Sequence, residues 1–241
     1  MSEGDKFVIG YTSWGSNCDG FTQSMLGLCV GDAYGRRRIP NGQVFKAQGP
    51  YPECNRQAVA DQFVESGRAD WLVMIDADHM FEREAIYRLV DSADPIRRPI
   101  VTASYWGYWG SEPFIRLMWF TWTYTEGLQF LRVPPIPEDI IEISACGMGC
   151  CCIHRSVFER LKALAPEDAE SCFGQIPFLN PAKKLKYYKE DIAFCLKARE
   201  AGFSVWGNPH VEVDHLKIGR QNRHTVDMRL AYDEAGRSVR T

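Results

Sequence analysis

Five consecutive apolar residues, Trp71-Leu72-Val73-Met74-Ile75, run directly into Asp76-Ala77-Asp78. An apolar run of strand length with no polar alternation has no side to offer water, so it reads as a strand covered on both faces. In open α/β sheets built from such strands, ligands bind outside the carboxyl ends. The flanking sequence fits the same plan. Phe7-Val8-Ile9-Gly10-Tyr11 reads as a first strand, and Phe21, Met25, Leu28 and Cys29 follow at helical spacing until Gly35. Residues 43–48 read as a second strand, and Ala58, Val59, Phe63 and Val64 mark a helix ended by Gly67. Ala85, Ile86, Leu89 and Val90 repeat the helical pattern up to Pro95, before a further strand over residues 99–104. Alternating strands and helices predict an α/β fold with a mostly parallel central sheet flanked by helices.

The second half is less regular. Residues 128–133 and 140–145 read as strands separated by Pro134-Pro135-Ile136-Pro137. Ser156-Val157-Phe158-Glu159 has the form of a capping box opening a helix through Leu164. Residues 190–201 read as a helix with Ile192 and Leu196 inward, and residues 203–206 and 211–214 as short strands around Gly207-Asn208-Pro209. No repeat, low-complexity tract or linker interrupts the 241 residues, so one domain over 1–241 is expected.

Composition narrows the function classes. Lys and Arg number 28 against 31 Asp and Glu, a formal charge of -3 that argues against a general nucleic-acid coat and leaves only local basic patches. The aromatic stretch over residues 105–124 is broken by Glu112, Pro113 and Arg116, short of the ~20 apolar residues of a membrane span. The N-terminus lacks the basic-then-apolar layout of a secretory signal, so a cytoplasmic location with reduced thiols is expected. Cys150, Cys151 and Cys152 are adjacent and would alternate faces in a strand. With no Cys-x-x-Cys pair in the chain, they read as small core residues rather than zinc ligands.

Asp76 and Asp78 are two residues apart, so in extended backbone both carboxylates lean to one face and suit a hard divalent cation that in turn holds phosphate oxygens. Aspartate in a plain turn after a strand is the competing reading. Asn55-Arg56, opening the helix that feeds this strand, sets a guanidinium and backbone amides where a diphosphate could dock; a solvated charge is the alternative. Glu190-Asp191 begins a helix, where acids complement the dipole and where a carboxylate beside a cleft also serves as a general base. His215 closes the last short strand.

In their order and spacing, Asn55-Arg56-Gln57-Ala58-Val59, the segment from Trp71 to Asp78, Gly147-Met148-Gly149 before Ile153-His154-Arg155-Ser156-Val157-Phe158, and Glu190-Asp191-Ile192-Ala193-Phe194-Cys195 resemble nucleotide-sugar glycosyltransferases of the GT-A fold. The likeness is to the small family 2-like members, similar to ones in phage genomes, and spans residues 7–216. It implies a nucleotide-donor half over residues 1–104, an acceptor half over 105–216 and a tail over 217–241. It also implies that Asp76, Asp78 and His215 hold Mn²⁺ or Mg²⁺ against the diphosphate of a nucleotide-sugar donor, UDP-sugars being favoured, and that nitrogen from His215 favours manganese. Asp191 would deprotonate the acceptor hydroxyl with Glu190 orienting it, inverting the anomeric carbon. Tyr11 and Thr12 fall where the family places the base, and Gly147 and Gly149 where backbone approaches a sugar.

Some phage-encoded relatives decorate hydroxymethylated pyrimidines in DNA, and that acceptor is one expectation here. It draws on Arg36-Arg37-Arg38, on a basic tail (Lys217, Arg220, Arg223, His224, Arg229) and on Trp106 and Trp109 as stacking platforms. A glycan or protein acceptor is the alternative. A nucleotidyltransferase would also pair carboxylates with metal on an α/β sheet, but Ser13-Trp14-Gly15-Ser16 is a poor glycine-rich phosphate loop. A non-catalytic nucleotide- or glycan-binding module would have no use for a base at Asp191.

Overall fold

A computed structural model describes residues 5–15, 17–109, 112–115, 138–165, 171–179, 183–216 and 220–221. The elements are β1 (Phe7–Ser13), α1 (Asp19–Tyr34), β2 (Val44–Gln48), α2 (Pro52–Ser66), β3 (Trp71–Asp76), β4 (His79–Met80), α3 (Arg83–Ser92), β5 (Ile100–Ser104), β6 (Trp106–Trp109), β7 (Glu112–Ile115), β8 (Ile141–Ile143), β9 (Cys150–His154), α4 (Arg155–Leu164), β10 (Ile176–Leu179), β11 (Leu185–Tyr188), α5 (Glu190–Glu200), β12 (Val205–Glu212), β13 (Asp214–Leu216) and β14 (Arg220–Gln221).

The fold is α/β, with a seven-stranded sheet in the order β2-β1-β3-β9-β5-β12-β8. β1, β2, β3, β5 and β12 run one way, whereas β9 lies antiparallel between β3 and β5 and β8 lies antiparallel to β12. β3 is buried on both faces as its composition requires. Its Leu72 and Met74 join a core that includes Val59 and Phe63 of α2, Phe158 of α4 and Phe194 of α5, while Trp71, Val73 and Ile75 join Phe21 and Leu28 of α1 and Ile86, Leu89 and Val90 of α3. The three adjacent cysteines follow the same period of two: Cys151 packs in the first core, Cys150 and Cys152 in the second. Burial pushes all three thiols above their ordinary pKa, so they act as inert core residues.

Several local readings change. The helix expected to be capped at Ser156 starts two residues earlier, at Arg155, because the His154 side chain accepts from the Ser156 amide and takes the N-cap place. The two short strands expected around Pro209 are one strand, β12, whose pairing with β5 shifts register between Asn208 and Glu212; the irregularity accommodates a proline that cannot donate to the ladder. The expected strand over residues 128–133, its proline-rich successor and most of the aromatic stretch lie outside the described residues. Of the tail, only Arg220–Gln221 is described, as β14 paired with β13. No helix among the described residues is long and apolar enough to cross a membrane.

β1 meets α2 without a spacer at Gly10, where an added Cβ would overlap Val59 Cγ1 and lie 2.9 Å from Leu72 Cδ1. Overpacking of this kind costs about 1–3 kcal/mol. Gly10→Ala is therefore expected to lower the urea midpoint without changing the slope; an unchanged midpoint would show that α2 can retreat freely from the sheet.

Candidate active site

β1 and β3 pair in parallel with Thr12 opposite Asp76, so their carboxyl ends finish side by side. The ends are strapped: Asp76 N–H donates to Gly149 O at 3.0 Å, and Ala77 N–H to Thr12 O at 3.0 Å. After Ala77 and Asp78 turn, β4 runs beside β13, which sets His79 opposite His215. Leu216 N–H closes the junction on Asp78 O at 2.7 Å.

Two charged groupings result. In the first, Arg56 forks onto Asp76, with Nη1–Oδ1 at 2.9 Å and Nη2–Oδ2 at 3.1 Å, while Thr12 Oγ1 donates to Asp76 Oδ1 at 3.0 Å. Arg56 also gives Nη1 to Met148 O at 3.3 Å and places Nε 3.6 Å from Glu190 Oε1. Burial alone would lower the Arg56 pKa; the charge and hydrogen bonding of Asp76, then the charges of Glu190 and Asp191, hold it above its ordinary value. The helix α2 begins at Pro52, so Arg56 lies a full turn inside it rather than at its N-terminus, and its guanidinium is taken up by carboxylates.

In the second grouping, ligand atoms of Asp78, His79 and His215 all lie within 4.8 Å of one another. His79 Nδ1 is 3.0 Å from Asp78 Oδ1 and His215 Nε2 is 3.3 Å from Asp78 Oδ2, with the two imidazoles stacked at 4.8 Å and 15°. Burial would raise the Asp78 carboxyl, but its contacts with His215 and His79 hold it well below the usual carboxylate range. His79 is buried, and neither of its ring nitrogens has hydrogen-bond geometry to any partner among the described residues. Buried imidazole nitrogens without hydrogen bonds beside a carboxylate are the donor set of a divalent transition metal. Of the expected ligands, Asp78 and His215 belong to this group, which could hold a metal ion. Asp76 is held by Arg56 and Thr12 and stands outside the cluster, and His79 takes the third place.

Both groupings open on a cavity of about 420 Å³ lined by Thr12, Trp14, Asn55, Arg56, Asp76, Asp78, Glu190 and Asp191 among others. Asp191 sits in the first turn of α5, its Oδ1 accepting from Ile192 N–H at 2.7 Å. Asn55 lines the cavity while its Nδ2 donates to Gly49 O at 2.9 Å. Tyr11 faces the other way, against the Phe21 ring at 5.0 Å, as strand alternation from Thr12 demands. At Gly147 an added Cβ would overlap the Tyr105 hydroxyl, and at Gly149 it would come within 2.6 Å of the Tyr105 ring and 2.7 Å of His79 Nε2. The space these glycines leave is filled by protein side chains. Tyr105 braces the cluster, its ring edge-on to His79 at 4.7 Å and its hydroxyl accepting from Gly149 N–H at 3.1 Å.

The remaining acceptor expectations fall elsewhere. Arg38 O accepts from Phe7 N–H at 3.1 Å, so the Arg36-Arg37-Arg38 run lies at the start of β1, the opposite end from Thr12. Arg38 is buried against Asp91, and Arg36 pairs with Glu84 at 2.7 Å above the Tyr87 ring. This run does not face the cavity, and two of its three guanidinium groups are engaged. Trp106 and Trp109 belong to β6, which pairs with β7 as a separate ribbon.

His79 and Tyr105 escaped the sequence reading. In extended backbone Asp78 and His79 would point to opposite faces, and only the tight turn at Ala77–Asp78 lets both reach one point. The adjacency of a histidine to Asp-x-Asp was the available signal.

No family profile matches the sequence, and no curated protein matches it. Solved structures do. The chain superposes on the crystal structure of GalNAc-T7 with UDP, GalNAc and Mn2+ at a TM-score of 0.57 and 11% identity, covering 90% of this chain and 45% of that one. A197 from STIV aligns at a TM-score of 0.49 and 13% identity over 91% of this chain and 95% of that one. A glycosyltransferase involved in the glycosylation of the major capsid of PBCV-1 aligns at 0.34 and 13% over 68% of each. The first comparison defines the class: a GT-A-like fold. The chain spans less than half of that protein's length, and at 11% identity the likeness is one of fold.

Proposed function

We propose that this chain is a metal-dependent, inverting glycosyltransferase that moves a sugar from a nucleotide-sugar, a UDP-sugar first among them, to an acceptor hydroxyl. One observation carries the reading: Asp78, the half-buried member of the Asp78–His79–His215 cluster, and Asp191, a carboxylate at a helix start, face the same cavity at the carboxyl ends of β1 and β3. The GT-A-like neighbour solved with UDP, GalNAc and Mn2+ supports it.

Asp78, His79 and His215 would hold the divalent ion, and two imidazoles favour manganese over magnesium. When bound, such an ion neutralises charge developing on a departing diphosphate. The protein's own groups do the rest. Asp191 accepts the proton of the acceptor hydroxyl, whose oxygen forms the new bond to the anomeric carbon as the bond to the diphosphate breaks on the opposite face. Arg56 fixes Asp76 and Glu190 on the cavity floor, which keeps Glu190 oriented beside Asp191. Thr12 and Asn55, which line the cavity, would meet the nucleoside. The acceptor hydroxyl would belong to a hydroxymethylated pyrimidine of DNA, or else to a glycan or a protein.

Incubating the protein with Mn²⁺ and a panel of nucleotide sugars, with and without hydroxymethylated DNA, tests the reading. Release of nucleoside diphosphate is the expected result. Pyrophosphate release from nucleoside triphosphates would instead identify a nucleotidyltransferase, and donor binding without turnover under any acceptor would leave a binding module.

A further inference from the structure

The segment leading into the Asp191 helix carries a charge pattern that no role so far uses. From Ser171 to Lys189 the sequence has no Asp or Glu, yet it holds Lys183, Lys184, Lys186 and Lys189 around Leu185, Tyr187 and Tyr188. These residues form β11 and its flanks, paired antiparallel with β10 as a two-stranded hairpin apart from the main sheet. Lys183, Lys184, Lys186 and Lys189 are exposed, and Tyr187 is 52% exposed. Lys189 is the N-cap of α5, so the basic hairpin runs straight into Glu190 and Asp191. In a chain of net charge -3, this concentrates positive charge beside the carboxylate that would receive the acceptor.

We infer that the β10–β11 hairpin is the docking strand for a nucleic-acid acceptor, presented single-stranded or with its target base turned out of the duplex. The inference rests on the glycosyltransferase reading and names its acceptor class. Lysines interleaved with exposed tyrosine are what a strand of phosphodiesters and bases requires: ammonium groups for the phosphates, ring faces for stacking. A bilayer-docking element would instead gather apolar side chains on one face with lysines at its rim. Here the register sets Lys186 opposite Phe178, on the face that carries Tyr188 stacked on Phe178 at 4.1 Å, and Leu185 and Tyr187 stand on the other face of β11. The lysine within the strand thus shares its face with an aromatic pair rather than rimming an apolar one. The alternation also explains why the lysines stand next to two acids: a polyanion approaching Asp191 would otherwise be repelled.

The test is fluorescence anisotropy of the full chain with a labelled single-stranded oligodeoxynucleotide across a salt series. Wild type is expected to bind with an affinity that falls steeply as salt rises. Lys183→Glu/Lys186→Glu should weaken binding by at least tenfold and flatten the salt slope by about 1–2, since each lost phosphate contact removes ~0.7 for single strands. Tyr187→Ala should cost about tenfold with the slope unchanged, because stacking is not a counterion effect. Arg160→Glu, an exposed charge reversal on α4, should leave binding close to wild type. Equal weakening by Arg160→Glu, no binding by wild type, or cosedimentation with phosphatidylglycerol vesicles in place of oligonucleotide binding would each overturn the inference. Donor hydrolysis is measured on the same samples. Hydrolysis without oligonucleotide binding removes the acceptor class and keeps the enzyme; hairpin-dependent binding without any donor turnover does the reverse.

Discussion

Asp191→Asn is expected to slow sugar transfer by ~10²–10⁴, the usual cost of removing a general base, while metal and donor binding persist. Asparagine keeps the shape of the side chain and the acceptor oxygen for Ile192 N–H, so α5 should start unchanged. Glu190 is a poor substitute, because its carboxylate is held toward Arg56 at 3.6 Å with a side chain only 14% exposed. Single-turnover rates with saturating donor read the effect directly. Turnover near wild type would remove Asp191 from the chemistry and pass the role to another group in the cavity.

Metal dependence should divide unevenly between the two aspartates. Asp78→Asn removes the carboxylate that both imidazoles contact, and Mn²⁺ affinity is expected to fall by well over tenfold, since loss of an outer-shell partner alone costs ~10–100-fold. Chelation with EDTA should abolish turnover of the unaltered protein. Asp76→Asn removes the partner that Arg56 grips with both arms, so its main expected effect is on stability, with Mn²⁺ affinity largely kept. Calorimetric titration of Mn²⁺ into the two variants separates the cases. Equal losses would mean that Asp76 leaves Arg56 for the ion, and undiminished affinity in Asp78→Asn would dismiss the Asp78–His79–His215 cluster as a metal site.

Much of the fold was legible because its signals are local. The apolar run of β3, the glycine after α2 and the period of two through the three cysteines each report a residue's immediate surroundings. The antiparallel insertion of β9 was not legible, since a strand buried on both faces looks alike in either direction. The site was legible in part for a related reason. Asp76, Asp78 and Asp191 could be named from their place at strand and helix ends, but which partner each takes depends on contacts made across the chain. Arg56 is 20 residues from Asp76, and His215 is 137 from Asp78. A guanidinium that looked suited to a phosphate is forked onto Asp76 and stands 3.6 Å from Glu190. His79, which strand alternation would have turned away, is brought in by one tight turn.

The position of β9 also sets a timetable for the chain as it is made. β3 and β5 are not neighbours in the sheet; each borders β9, and β9 is completed only at His154. A nascent chain that has reached Ser104 therefore holds three unfinished sheet edges, the outer one of β3 and both of β5, on strands whose apolar side chains are buried on both faces in the final fold. Exposed edges of that kind invite pairing with other chains. Residues 1–104 and 105–216 are not separate units of assembly, because neither stretch can close its own sheet. An expression fragment cut near residue 104 would be a sticky intermediate rather than a nucleotide-binding module, and the folding of the first strands waits on ribosomal delivery of the ninth.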